Sequence, residues 1–205
     1  MGQGIKVILF DLGNVLVDVD FTIAAKRISY FCEKSPKEIV GLVSGSNLNT
    51  LFEGNQITPE DFFVRLKDML GLKISYKGFV PIWNEIFFLS AKNRSVYSLA
   101  NNLRNNYRIA ILSNINILHY DYIKEHFPIF PIFNQVFASC AMGLVKPDKR
   151  IYSRVLEELH VLPEEVFYTD DREELVKSAS ELNINSFVFT DFKKLKNDLI
   201  NLACI

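Results

Sequence analysis

Val7-Ile-Leu-Phe-Asp-Leu-Gly-Asn-Val15 is a four-residue apolar run that ends on a carboxylate, Asp11, and a Gly-Asn turn. A short apolar run closed by turn residues reads as a strand buried on both faces, the kind found in parallel sheets. Ligands of open α/β sheets gather beyond the carboxyl ends of such strands, which is where this run places Asp11. A lone carboxylate is costly to bury unless it is paired or bound to a cation, so the rest of the chain must supply partners. Taken alone, a turn-forming Asp accounts for the stretch equally well.

Beyond this run, residues 20–89 show helical periodicity and no convincing strand. Ile23, Arg27, Ile28 and Phe31 belong to a first amphipathic helix, and Pro36 opens a second with Ile39, Val40 and Val43. Thr58-Pro-Glu-Asp combines an N-cap, a Pro at the first helical position and acids in the first turn. It launches Phe62, Phe63, Leu66, Met69 and Leu70, and Gly71 closes the helix. A further helix over about 75–88 carries Phe79, Ile82, Trp83, Ile86 and Phe87, aromatic-rich spacing that reads as core.

From residue 91 the pattern alternates. A helix over about 92–105 precedes the strand Tyr107–Leu112, which ends at Ser113-Asn114. Val136–Ser139 is the next strand, and a loop through Gly143 and Lys146-Pro147 leads to a helix with Ile151, Val155 and Leu159 on one face. Glu165–Thr169 ends at Asp170-Asp171 and is followed by a helix, then by the strand Ile184–Phe189 and a terminal helix. Strands alternating with helices indicate an α/β fold whose parallel sheet is covered on both faces. The all-helical block is then an insertion after the first strand.

The 205 residues, 49% of them hydrophobic, suffice for one large domain or a domain with an insertion. Lys plus Arg number 23 and Asp plus Glu 24, a net charge of -1 that argues against a nucleic-acid or anionic-membrane surface and for a small-molecule partner. Lys193-Lys194-Leu195-Lys196 reads as a solvated helix face. Cys32, Cys140 and Cys204 are odd in number and widely spaced, which indicates neither a disulfide framework nor a zinc site and fits a reducing cytoplasm. No apolar stretch approaches the ~20 residues of a membrane helix, and Asp11 and Gly13 interrupt the N-terminal run as no signal-peptide core would. The expectation is a soluble, unprocessed cytoplasmic protein.

Asp11, Ser113-Asn114, Lys146 and Asp170-Asp171 all lie at strand ends or in the loops that follow, and in a parallel sheet those ends share one edge. Separately, a helix cap, a solvated loop charge and an acidic first turn would explain them. Together they match what phosphoryl transfer to a carboxylate needs. Converging carboxylates repel unless a cation such as Mg2+ joins them, and Mg2+ prefers oxygen ligands and substrate phosphate. A hydroxyl, an amide and an ammonium then complete a cradle for phosphate oxygens.

In this order the residues resemble the haloacid dehalogenase (HAD) superfamily along essentially the whole chain. Phe10-Asp-Leu-Gly-Asn-Val resembles its first motif, Leu112-Ser-Asn its second, Lys146-Pro-Asp with Arg150-Ile-Tyr its third and Phe167-Tyr-Thr-Asp-Asp its fourth. Phe52-Glu-Gly-Asn-Gln-Ile-Thr-Pro-Glu-Asp-Phe and Trp83-Asn-Glu-Ile-Phe resemble segments of a C1-type cap, in the branch with α-D-glucose 1-phosphate phosphatases. The resemblance implies a Rossmann-like core over residues 1–17 and 90–205 with a helical cap over 18–89. It implies a phosphatase acting on a small phosphorylated metabolite, with Asp11 as nucleophile and Lys146 as its catalytic partner. Ser113, Asn114 and Lys146 would hold the phosphoryl group, and Asp11, the Gly13 carbonyl and Asp171 would hold Mg2+, with Asp170 either an additional ligand or a support behind the ligands.

Three positions depart from the family pattern. Its phosphatases usually carry a second Asp two residues after the nucleophile as general acid and base, and here that position is Gly13. Such help is typically worth ~100 to 10,000-fold, so its loss implies a rate governed by leaving-group acidity. Leu175 replaces an Asn after the fourth motif, which would loosen the metal-binding turn, and Asn183 replaces a Gly in a left-handed position Asn tolerates. A catalytically weak relative that binds a phosphorylated ligand or a protein partner is the alternative. A dehalogenase fits less well because Asp170-Asp171 points to a metal, and a phospho-receiver carries its acidic pair before the acceptor Asp.

Overall fold

A computed structural model describes residues 4–205. Five parallel strands form one sheet in the order β5-β4-β1-β6-β7, with β1 Val7–Phe10, β4 Arg108–Ser113, β5 Gln135–Ala138, β6 Val166–Asp170 and β7 Asn185–Val188. Because successive side chains alternate faces, Val7 and Leu9 join one core while Ile8 and Phe10 join the other. The first of these cores includes Ile151, Val155 and Leu159 from α9 (Lys149–Leu159), the second Val96 and Ala100 from α6 (Ala91–Leu103) and Leu195 and Leu199 from α11 (Phe192–Asn201). Helices α7 (Ile117–His126), α8 (Ser139–Met142) and α10 (Glu173–Ser180) complete this part of the chain.

The chain builds outward from β1 in both directions, so the strand order reverses at the sheet's centre. Connections diverge there and leave a crevice beyond the strand ends. Asp11 lies in it, its N–H extending the β1 ladder to the Thr169 carbonyl at 2.9 Å.

Between Phe21 and Asn84 the chain forms five α-helices: α1 Phe21–Ile28, α2 Pro36–Ser44, α3 Leu48–Glu53, α4 Pro59–Leu70 and α5 Tyr76–Asn84. Thr58 caps α4 by accepting the Asp61 N–H at 3.1 Å, and Gly71 ends it in the left-handed conformation, φ 70°. These helices enclose a hydrophobic core of their own in which Phe52 stacks on Phe62 at 4.4 Å and Trp83 lies 5.0 Å from Phe62.

Two expectations need correction. Residues 87–88 are not helical: β3 (Phe87–Phe88) pairs antiparallel with β2 (Asp18–Val19), forming a small ribbon where the helical unit joins the sheet. Two-residue strands carry no readable period, and helical spacing of the preceding aromatics extended the helix too far. Helices α3 and α7 also lack a counterpart in the sequence reading. Among the described residues no helix is long and apolar enough to cross a membrane.

Candidate active site

The loop after β1 is a tight knot. Asn14 N–H donates to the Val17 carbonyl at 2.6 Å, and Val17 N–H returns to the Leu12 carbonyl at 3.0 Å. The left-handed residue of this turn is Asn14, φ 55°, whereas Gly13 has no positive φ. A Cβ at Gly13 would meet Val19 Cγ2 at 3.6 Å and Asp11 Oδ2 at 3.9 Å, ordinary contacts, so the backbone does not require glycine there. Asn14 donates its amide to Asp171 Oδ2 at 2.9 Å and accepts the Val19 N–H at 3.2 Å, tying the first motif to the fourth and to the ribbon. From α6, Lys92 Nζ donates to the Asn14 carbonyl at 2.8 Å and pairs with Asp18 at 2.6 Å.

Lys146 forms the floor. Its buried ammonium lies 2.8 Å from Asp11 Oδ1, 2.6 Å from Asp170 Oδ2, 2.9 Å from the Leu112 carbonyl and 3.2 Å from the Tyr168 hydroxyl. Burial alone would lower the Lys146 pKa, but the two carboxylates outweigh it and hold the value above that of an ordinary lysine. A solvated loop charge is therefore excluded. Tyr168 donates its hydroxyl to the same Asp170 oxygen, and Asp170 Oδ1 accepts the Arg172 N–H at 2.9 Å.

Asp11 behaves differently from its partner. Burial, reinforced by Asp170 and Asp171, outweighs the attraction of Lys146 and pushes its pKa up to about 7. Burial also raises Asp171, with the Asn14 hydrogen bond opposing. Ligand atoms of Asp11, Asp170 and Asp171 lie within 4.8 Å of one another, three carboxylates against one ammonium. This hard oxygen set and surplus negative charge fit a small divalent cation.

Ser113 ends β4 buried at the cavity wall. Asn114 lines the same cavity; its side-chain oxygen accepts the Lys146 N–H and its amide donates to the Lys146 carbonyl, both at 2.8 Å. That side chain holds the Lys146 backbone beside the cavity. Ser113-Asn114 does not cap the next helix; Asn116 does, accepting the His119 N–H at 3.0 Å. Leu175 is buried, lines the cavity and accepts the Tyr152 hydroxyl through its carbonyl at 3.0 Å. Asn183 is left-handed, φ 64°.

These groups open into a cavity of about 240 Å³ between the sheet edge and the helical unit. Val19, Phe21, Phe87 and His119 give it an apolar wall, and Glu53 and Arg172 add ionisable groups that the sequence reading did not identify. His119 Nε2–H donates to the Trp83 carbonyl at 3.1 Å while Nδ1 accepts from Asn116 at 3.0 Å, and burial lowers its pKa to about 4. It is thus a neutral fastener between α7 and α5. A larger open depression of about 670 Å³, bordered by Lys6, His160 and Glu165, lies at the other end of the sheet, away from this cluster.

A family model described as haloacid dehalogenase-like hydrolase matches residues 5–183. A D-ribitol-5-phosphate phosphatase of Bacteroides thetaiotaomicron is 23% identical over 192 residues, covering 89% of this chain and 91% of that protein. A sesquiterpene phosphatase of Aspergillus oryzae is 24% identical over 191 residues, 91% of this chain and 90% of the other. Among solved structures, a HAD family enzyme of B. thetaiotaomicron in complex with magnesium and inorganic phosphate superimposes with a TM-score of 0.78 at 28% identity, covering 94% of this chain and 99% of that one.

Proposed function

This chain belongs to the haloacid dehalogenase-like hydrolases, and we propose that it is a Mg2+-dependent phosphatase of small phosphomonoesters working through an aspartyl phosphate on Asp11. The observation that carries this reading is the buried Lys146 bridge between Asp11 and Asp170 beneath an open cavity. Asp11 Oδ1 is held by Lys146, which leaves Oδ2 without a hydrogen bond among the described residues and free to attack phosphorus. Covalent catalysis divides one displacement into two easier ones. Lys146 and the Ser113 hydroxyl meet the phosphoryl oxygens, where preorganised donors matter most as charge shifts in the transition state.

Asp11, Asp171 and the Gly13 carbonyl would hold Mg2+, with Asp170 contributing less because both its oxygens already accept hydrogen bonds. When bound, the ion supplies charge neutralisation that lets Asp11 ionise and phosphate approach.

Residues 18–89 act as a cap on the core formed by 1–17 and 90–205. Their separate hydrophobic core and the β2–β3 ribbon at the junction support that division. At about 240 Å³ the cavity is smaller than the usual ~300–1,000 Å³ of ligand pockets, which favours a polyol or sugar phosphate over a long terpenyl phosphate. Three unpaired cysteines are in keeping with action in the cytoplasm.

The test is a screen of D-ribitol 5-phosphate, glucose 1-phosphate, nucleotides and phospho-acids with and without Mg2+, run beside Asp11→Asn. Metal-dependent release of phosphate that disappears in a folded Asp11→Asn variant is expected. Phosphate bound but no ester hydrolysed would favour a ligand-binding relative without turnover.

A further inference from the structure

We propose that Glu53, delivered by cap helix α3, protonates the departing oxygen and then activates the attacking water, the task for which position 13 has no side chain. This deepens the phosphatase reading and rests on it.

Elimination among the groups lining the cavity leads to Glu53. Asp11 is the nucleophile, and Asp170 is held by Lys146, Tyr168 and the Arg172 N–H. Asp171 is bound by Asn14. Lys146 lies against two carboxylates and Arg172 stays charged. His119 donates its one ring proton to Trp83 and accepts from Asn116 on its other nitrogen. Among the carboxyl groups lining the cavity, Asp11, Asp170 and Asp171 each accept a hydrogen bond and Glu53 accepts none among the described residues.

Its backbone is fixed from the core. Ser139 Oγ accepts the Ile115 N–H at 2.9 Å and donates to the Glu53 carbonyl at 2.7 Å. Phe52 is buried in the cap core, and a Cβ on Gly54 would lie 3.6 Å from Val145 Cγ1, beside Lys146. The carboxyl is therefore presented from the cap to a cavity whose floor holds the nucleophile. An in-line displacement sends the leaving oxygen away from Asp11, toward the cap. Burial pushes the Glu53 pKa up to about 7 against the opposing charges of Arg172 and Lys146, so a proton is held near neutral pH; Cys140 is the other titratable group in its field.

In the first half-reaction the Asp11 Oδ2–P bond forms as the ester P–O bond breaks, and Glu53 gives its proton to the departing oxygen, yielding an alcohol and the Glu53 carboxylate. In the second, that carboxylate takes a proton from water as the water oxygen bonds to phosphorus and the Asp11–P bond breaks. Inorganic phosphate leaves, and Asp11 is again a carboxylate and Glu53 a carboxylic acid.

The experiment is single-turnover kinetics with Mg2+ on p-nitrophenyl phosphate, whose leaving group needs no proton, and on D-ribitol 5-phosphate, whose leaving group does. Glu53→Gln should slow the alkyl ester by the ~100 to 10,000-fold typical of general acid catalysis and the aryl ester far less. It should also remove the alkaline limb of kcat/KM, and Gly13→Asp in the E53Q background should recover part of the alkyl rate. In the wild type, a series of aryl and alkyl esters should show only a shallow dependence on leaving-group acidity. A steep wild-type dependence, or an unchanged alkyl-to-aryl ratio in folded E53Q, overturns the role of Glu53 alone. A wild type that hydrolyses neither ester overturns the phosphatase reading, and the inference with it.

Discussion

Replacing Lys146 by Met removes the cation between Asp11 and Asp170 while keeping an unbranched side chain of similar length. The ammonium contacts Asp11 at 2.8 Å and Asp170 at 2.6 Å, and its side chain is 1% exposed, so water cannot replace it without opening the core. Removing one partner of a buried pair costs about 3–5 kcal/mol. In a chain of this size each kcal/mol moves Tm by roughly 2–4 °C, which predicts a fall of about 6–20 °C. The loss must depend on pH with a definite sign. Asp11 is already raised from 3.8 to about 7 in the folded protein, and Lys146 is the largest influence opposing that rise, so its pKa climbs further without Lys146. A carboxyl with a raised folded pKa stabilises fully below its unfolded value, and that stability is lost as pH rises through the folded value. At about pH 5 Asp11 therefore keeps its proton in both proteins and the deficit narrows, whereas at about pH 8.5 it is widest. Urea denaturation followed by circular dichroism, with chelator present, measures it at both pH values. A deficit under about 1 kcal/mol at both, or one larger at the acid pH, would refute the reasoning, since a broken buried pair should cost several times that. Asp11→Asn should restore part of the stability of K146M by removing one of the stranded charges.

Mg2+ should raise the Tm of the wild type, by about 2.7 kcal/mol of stability at a hundred times its Kd, and Asp171→Ala should weaken the response. Because the ion competes with the proton on Asp11, the gain should grow as pH rises through about 7, read by a thermal shift assay; a gain independent of pH argues against Asp11 as a ligand. Gly13→Ala should change stability by no more than the ~0.4–1 kcal/mol of an unstrained glycine replacement, because its backbone and surroundings admit a Cβ. Gly71→Ala, at φ 70°, should cost more, and the reverse order in urea denaturation would place the conformational demand at position 13.

The local chemistry of the chain was sufficient for its regular parts. Apolar runs ended by Asp11, Ser113 and Asp170 encode buried parallel strands because short-range pattern and turn residues specify them, and Thr58-Pro59 with Gly71 bounds α4 by satisfying its ends. The four motif positions, and hence the cluster of Asp11, Lys146, Asp170 and Asp171, were legible because a parallel sheet places strand ends on one edge. Elements without a strong period were not. In α7 polar and apolar residues alternate without a clean stripe, α3 spans six residues, and β2 and β3 span two each. The partners of each polar group were also hidden: Asn114 offers one amide to many possible acceptors, and only the folded loop pairs it with the Lys146 backbone. Glu53 stands in a stretch that reads as a cap segment, yet nothing local distinguishes it from a solvated helix terminus. Strand order, which puts β1 between β4 and β6, and the docking of α3 against Ser139 bring it over the crevice. Those are contacts between residues far apart in the chain, set by how cores pack together, and no spacing along the sequence encodes them.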